Sequence, residues 1–215
     1  MSRFVILLGG EFFCTPRVET QVAGARVIAA DSGIRHATSL GVQPELWTGD
    51  FDSVSDELAA AWPDVPREVF PSGTDKTDGE LAVQAAIARG ATSLVLAGSF
   101  GGPRADHAFL HLALALRLAE QGLPTLLTSG AQEGQPLLPG ETKFDFATGT
   151  LFSVLGFSDL TGLSVIGARW PLDRIAMAFG SSLTISNEVA GDLTVAIGTG
   201  RALLVAHPYP SDSDF

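Results

Sequence analysis

The chain has 215 residues, with 46% hydrophobic and 17% charged residues, which excludes a disordered polypeptide and is enough to bury a core without disulfides. Thirteen basic against 24 acidic residues leave a net charge of −11, a poor match to nucleic-acid phosphates. The single cysteine, Cys14, excludes an intrachain disulfide and a cysteine-built zinc site. No apolar run approaches the ~18 residues of a membrane span, and the run after Phe4 is short for a signal peptide, so a cytoplasmic protein is expected.

In chain order, short apolar runs at Phe4 to Leu8, Arg26 to Ala30, Leu94 to Ala97 and Thr125 to Leu127 predict buried strands of a parallel sheet. Between them the spacing predicts helices. Ser55 to Ala61 is short. Thr77 to Arg89 opens with Thr77 and Glu80 at capping-box spacing and ends before Gly90. Asp106 to Gln121 places Leu110, Leu114 and Leu118 on one face, with Gly122 as the stop. This alternation predicts an α/β N-terminal domain over residues 1–130 with a mostly parallel sheet. Residues 130 to 140, rich in Gly, Pro, Gln and Glu, read as a linker. Beyond them short β-prone runs recur at Thr150–Leu155, Leu163–Ile166, Leu183–Ile185, Leu193–Ile197 and Ala202–Val205, predicting a small all-β sandwich or barrel-like domain over 141–215.

Three segments carry chemistry. In Gly49-Asp50-Phe51-Asp52-Ser53, carboxylates two apart point to one side of an extended chain, or converge in a turn. Such hard oxygen ligands suit Mg²⁺, which takes one or two carboxylates plus substrate phosphates; a solvated turn is the plainer alternative. In Asp75-Lys76-Thr77-Asp78, two carboxylates share one face of a helix start and flank a lysine able to hold a phosphate. Gly98 through His107 is a glycine-rich strand-to-helix loop whose amides can approach phosphate oxygens. Within it Arg104 adds a permanent cation, Asp106 reads as an N-cap, a metal ligand or both, and His107 reads as a loop-fixing residue. Walker-type, dinucleotide-type and nucleophile-elbow glycine motifs are missing from the sequence.

In their order these segments, with Ala30-Asp31-Ser32-Gly33 before them and Gly167 through Leu172, Gly180 and Ser186-Asn187-Glu188 after, resemble the thiamine pyrophosphokinase (thiamine diphosphokinase) family over nearly the whole chain. The resemblance implies a homodimer that moves a pyrophosphoryl group from ATP to the hydroxyethyl oxygen of thiamine with Mg²⁺. It implies Asp50, Asp52 and Asp75 or Asp78 at the Mg–ATP centre with Asp31 nearby. Gly33, Ser53, Gly101, Gly102, Arg104, Asp106 and His107 would then serve the nucleotide, and Ser186, Asn187 and Trp170 the thiamine. Lys76 and Arg104 would stabilise negative charge, and a carboxylate left off the metal, Asp78 being one choice, would accept the alcohol proton. The chain departs from the family at Ser32, at Gly102-Pro103-Arg104 and at His111. Alternatives weighed against this are a hydroxymethylpterin pyrophosphokinase, a non-catalytic nucleotide sensor, and a haloacid-dehalogenase-like phosphatase. The phosphatase motif sits after a first strand, whereas two predicted strands precede Asp50. No nucleic-acid or membrane partner is expected.

Overall fold

A computed structural model describes residues 2–71, 73 and 75–209. Thr74 of the second acidic segment, Ser72, and the extremes of the two predicted domains, Met1 and 210–215, lie outside the described residues. The chain divides into two compact units, residues 1–114 with 123–130, and 115–122 with 131–215.

The first unit is built on six parallel strands: β1 (Arg3–Leu7), β2 (Arg26–Ala30), β3 (Leu46–Gly49), β4 (Arg67–Val69), β5 (Ser93–Ala97) and β6 (Thr125–Thr128), in the order β6-β5-β1-β2-β3-β4. The helices are α1 (Pro16–Val22), α2 (His36–Leu40), α3 (Asp56–Ala61), α4 (Asp78–Ala88) and α5 (Ala105–Glu120), which begins in this unit. The apolar runs are continuous because both sheet faces are covered. Four consecutive residues are buried in each of β1, β2 and β5, and Val5, Leu7, Val27, Ala29, Trp47, Val95 and Ala97 share one core cluster with Val18 and Ile34 of the covering segments. Local chemistry sets the helix starts. Side-chain oxygens of Thr15, Ser55 and Thr77 accept from the amides of Val18, Leu58 and Glu80. Gly90, at φ 84°, stands just past the end of α4.

From β1 the chain builds outward to β4, then returns to place β5 on the other side of β1. The connections leaving β1 and β5 therefore diverge, and the crevice that opens at such a reversal is where open α/β sheets bind ligands.

The second unit is antiparallel. Its strands are β7 (Glu133–Leu137), β8 (Gly140–Lys143), β9 (Leu151–Gly156), β10 (Leu160–Ala168), β11 (Leu172–Met177), β12 (Asn187–Ile197) and β13 (Ala202–His207). β13 pairs with β7 and β9. The long β12 pairs with β9 at Asn187 and Glu188, and with β10 and β8 further along. Inward residues of both layers, among them Phe152, Leu163, Val165, Val195 and Leu204, form one core.

Two expectations fail here. Residues 130 to 140 are no simple linker: β7 runs through them and pairs along β13, from Glu133↔Ala206 to Leu137↔Ala202. Leu183–Ile185 is a turn and no strand. Its buried residue is Thr184, whose hydroxyl donates to Val154 O, while Leu183 and Ile185 face solvent. The strands β3, β4, β8 and β11 and the helices α1 and α2 had no counterpart among the predicted elements.

Candidate active site

The crevice holds a cleft of about 590 Å³, lined entirely by first-unit residues from loops that leave β1, β2, β3 and β5 and from the starts of α4 and α5. Asp31 is the first residue after β2, and Asp50 the first after β3. Asp52 and Ser53 follow in the same turn, and Asp78 opens α4. All five line the cleft together with Gly101, Gly102, Arg104 and His107. Strand ends and a helix start deliver these carboxylates together although up to 47 positions separate them.

The site is strained and charge-crowded. Asp31 and Phe51 are non-glycine residues in the left-handed region, at φ 44° and 63°. Asp31 Oδ2 accepts from the Ser53 hydroxyl, while its Oδ1 is buried without a hydrogen-bond partner. The neighbouring Asp50 charge, then its hydrogen bond, raises the pKa of Asp52, with Asp31 adding to it. Burial raises Asp78, and the charges of Asp31, Asp50 and Asp52 raise it further.

Four carboxylates gathered on one cleft, one of them with an unsatisfied buried oxygen, form a hard-oxygen donor set that fits a divalent cation such as Mg²⁺. Among the described residues no three acidic, His or Cys side chains stand as a finished cage. That suits an ion which takes few protein ligands and completes its shell from phosphates and water.

Several predicted site residues lie elsewhere. Asp75 and Lys76 are exposed and off the cleft lining, and Lys76 Nζ donates to Gln84 Oε1 at 3.0 Å. Gly33 is buried and off the lining, packed against the backbone of Leu7. Asp106 is no N-cap, since α5 begins at Ala105. Its carboxylate instead takes a two-pronged bond from Arg104, Nε to Oδ1 at 3.0 Å and Nη2 to Oδ2 at 2.7 Å, which holds the Asp106 pKa well below the usual carboxylate range.

Arg35 was missed. It sits one helical turn after Asp31, lines the cleft, and its Nη2 donates to Gly9 O at 2.6 Å and Gly10 O at 3.1 Å. Its spacing from Asp31, at the end of a strand, is the signal that would have found it. His111 also lines the cleft, with Nδ1 3.2 Å from Ser99 O; burial lowers its pKa.

In the second unit, Trp170, Ser186 and Asn187 are brought together. Asn187 Nδ2 donates to Trp170 O at 2.8 Å and its Oδ1 accepts from Trp170 N at 3.2 Å, while Ser186 N donates to Ser153 Oγ at 3.1 Å. Trp170 is 55% exposed, so it is no core residue, and the Arg169 guanidinium lies 4.9 Å from its ring centroid.

A parallel sheet that gathers carboxylates, glycine loops and arginines at its reversal crevice defines an enzyme of phosphoryl- or pyrophosphoryl-transfer type. Residues 22–127 match the thiamin pyrophosphokinase catalytic domain, and residues 141–204 match the thiamin pyrophosphokinase vitamin B1 binding domain. The chain belongs to the thiamin pyrophosphokinase family and is a transferase of that kind. It is 28% identical over 168 residues to thiamine pyrophosphokinase of Bacillus subtilis, covering 75% of this chain and 77% of that one. The crystal structure of thiamine pyrophosphokinase from Bacillus subtilis shares the fold, with TM-score 0.83, 24% identity and coverage of 96% and 99%. That of thiamin pyrophosphokinase from Geobacillus thermodenitrificans gives TM-score 0.77, 26% identity and coverage of 100% and 99%. The family reaction uses thiamine and ATP. The dehalogenase-like reading loses its footing as well: three strands precede Asp50.

Proposed function

We propose that the chain transfers the pyrophosphoryl group of ATP to the hydroxyethyl oxygen of thiamine, giving thiamine diphosphate and AMP, with Mg²⁺ held by Asp31, Asp50 and Asp52 and with Asp78 left off the metal beside them. The observation that carries this reading is the convergence of those carboxylates on one cleft with Arg104 and the Gly101-Gly102 loop. Residues 1–130 form the nucleotide-binding catalytic domain in this reading, and 141–215 the thiamine-binding and dimerisation domain.

The alcohol oxygen forms a bond to the β-phosphorus while the bond from that phosphorus to the α-phosphate oxygen breaks, and AMP leaves with the electron pair. Mg²⁺, when bound, supplies charge neutralisation of the phosphates. Arg35 and Arg104 neutralise phosphate charge from the protein side, and the Gly101-Gly102 loop lets the phosphate approach the backbone closely. Asp78 accepts the alcohol proton: its raised pKa gives it more basicity than an ordinary aspartate, and it later releases the proton to water. Asp75 and Lys76, exposed outside the lining, serve the approach of the nucleotide. Trp170, Ser186 and Asn187 receive the thiamine, with the exposed ring suited to a cationic ligand.

The working state is a homodimer, in the cytoplasm. The second unit supports the dimer by exposing Trp170, Phe179, Leu183 and Ile185. The test is incubation with thiamine, ATP and Mg²⁺ while AMP and thiamine diphosphate are followed together. Equal amounts of both are expected. ADP with thiamine monophosphate would overturn the transferred group, and turnover only with a hydroxymethylpterin would overturn the acceptor.

A further inference from the structure

We propose that Trp47 is a positioning residue of this reaction: its indole N–H anchors the backbone of Asp31 so that the Asp31 carboxylate is aimed into the cleft. The inference rests on the reading that Asp31 belongs to the catalytic centre.

Trp47 is fully buried in β3, whose neighbour β2 ends one residue before Asp31. Its Nε1 donates to Asp31 O at 2.7 Å, a short and direct bond from a side chain to the backbone of a cleft residue. That carbonyl belongs to a residue at φ 44°, a conformation an aspartate does not hold by its own preference and keeps only when its surroundings enforce it. The same indole packs edge-on against Phe51, with ring centroids 4.9 Å apart at 70°, and Phe51 is the second left-handed residue, standing between Asp50 and Asp52. The guanidinium of Arg67 covers both rings, 4.8 Å from Trp47 and 5.6 Å from Phe51. One side chain therefore braces the two strained positions that carry three of the four cleft carboxylates. A phenylalanine would keep an aromatic ring in this part of the core, but it has no donor for Asp31 O. The carboxylate itself is held on one side only: Ser53 donates to Oδ2, and Oδ1 is buried without a hydrogen-bond partner. Its aim therefore depends on where the backbone is fixed, and the indole bond fixes it.

The experiment is a double-mutant cycle on the full chain, with Trp47→Phe, Asp31→Asn and both together. For each, kcat, the KM values for ATP and thiamine, the dependence on Mg²⁺ and the thermal midpoint are measured. Trp47→Phe is expected to fold, to lose about 10- to 100-fold in kcat or in apparent Mg²⁺ affinity, as partners that orient a functional ligand do, and to leave the KM for thiamine nearly unchanged. In the Asp31→Asn background the same substitution is expected to cost markedly less than in the wild-type chain, because the main part of its effect passes through Asp31. Full kcat with unchanged Mg²⁺ dependence in Trp47→Phe, or an equal loss in both backgrounds, overturns the proposal while leaving the site reading intact. Wild-type kcat in Asp31→Asn overturns the site reading and the proposal with it. If Trp47→Phe does not fold, the wild-type protein labelled with ¹⁵N-tryptophan decides. Its three indole resonances, from Trp47, Trp62 and Trp170, are assigned by substituting the other two. The Trp47 N–H is expected to be protected from exchange and to shift when ATP and Mg²⁺ are added; a resonance that exchanges freely or does not move overturns the proposal.

Discussion

Gly33→Ala tests whether the cleft depends on the backbone packing beneath it. Gly33 lies in the tight turn Asp31–Arg35, and a Cβ built on it would stand 2.3 Å from Leu7 O and 2.7 Å from Leu7 C. Real Cβ atoms essentially never come within 3.0 Å of such atoms, so something must move by about 0.7 Å. The obstacle is the end of the central strand β1, whose next amide, Leu8 N, is bonded to Ala97 O at 2.7 Å. Backbone held in this way cannot swing aside, so the turn has to lift, and Asp31 is two residues away in it. Overpacking of this kind costs about 1–3 kcal/mol, which for a chain of this size lowers the melting temperature by roughly 2–12 °C. Displacing a catalytic carboxylate by nearly an ångström costs more in rate, up to about 100-fold in kcat. The assay is AMP release at 25 °C alongside thermal unfolding. Gly191→Ala serves as control, because a Cβ there meets nothing within 4 Å. If Gly33→Ala matches that control in both melting temperature and kcat, the argument from packing is refuted.

Asp52→Asn is expected to abolish turnover while the melting temperature holds or rises, because the substitution removes a charge that Asp50 and Asp31 disfavour; wild-type turnover would sink its assignment to the centre. Chelation with EDTA is expected to stop AMP formation and excess Mg²⁺ to restore it; undiminished activity in EDTA would remove the metal from the reaction. Stability is expected to fall as pH drops below 6.5. His36 and His111 have folded-state pKa values lowered chiefly by burial, so the unfolded chain takes up protons first and gains relative to the native state. Urea midpoints at pH 7.5 and 5.5 check this, and an unchanged slope in a His36→Gln, His111→Gln double variant would contradict it.

Much of this architecture was legible because local signals agreed with the tertiary result. Arg26–Ala30 is a strand with the predicted bounds, and Thr77 caps α4 as its spacing with Glu80 implied. The acidic segments were legible as chemistry because Asp50 and Asp52 serve no core. What was missed lacked period or bulk. β4 has three residues, all exposed, and β3 has four with no room for alternation. Glu133 and Pro136 made β7 read as a connector, yet Glu133 is buried and pairs with Ala206. Lys76 precedes the cap of α4, where the chain is not yet helical, and it turns outward to Gln84. Spacing within a motif could not register that.

The cleft also explains why a stable sheet is spent on an unfavourable site. Strand ends bring Asp31, Asp50 and Asp52 together, and two of the residues there, Asp31 and Phe51, adopt backbone angles that non-glycine residues avoid. Each feature costs the fold free energy, and each is offset locally: the Ser53 hydroxyl on Asp31, the Trp47 indole on the Asp31 carbonyl, the Arg67 guanidinium over Trp47 and Phe51. None of these contacts cancels the carboxylate charge itself, because Arg104 is paired with Asp106 and Arg35 with the carbonyls of Gly9 and Gly10. The negative potential therefore stays available for a cation. Neutralising one cleft carboxylate should stabilise the fold and weaken the response to Mg²⁺ in the same variant. A gain in one without a loss in the other would separate the charge crowding from the function.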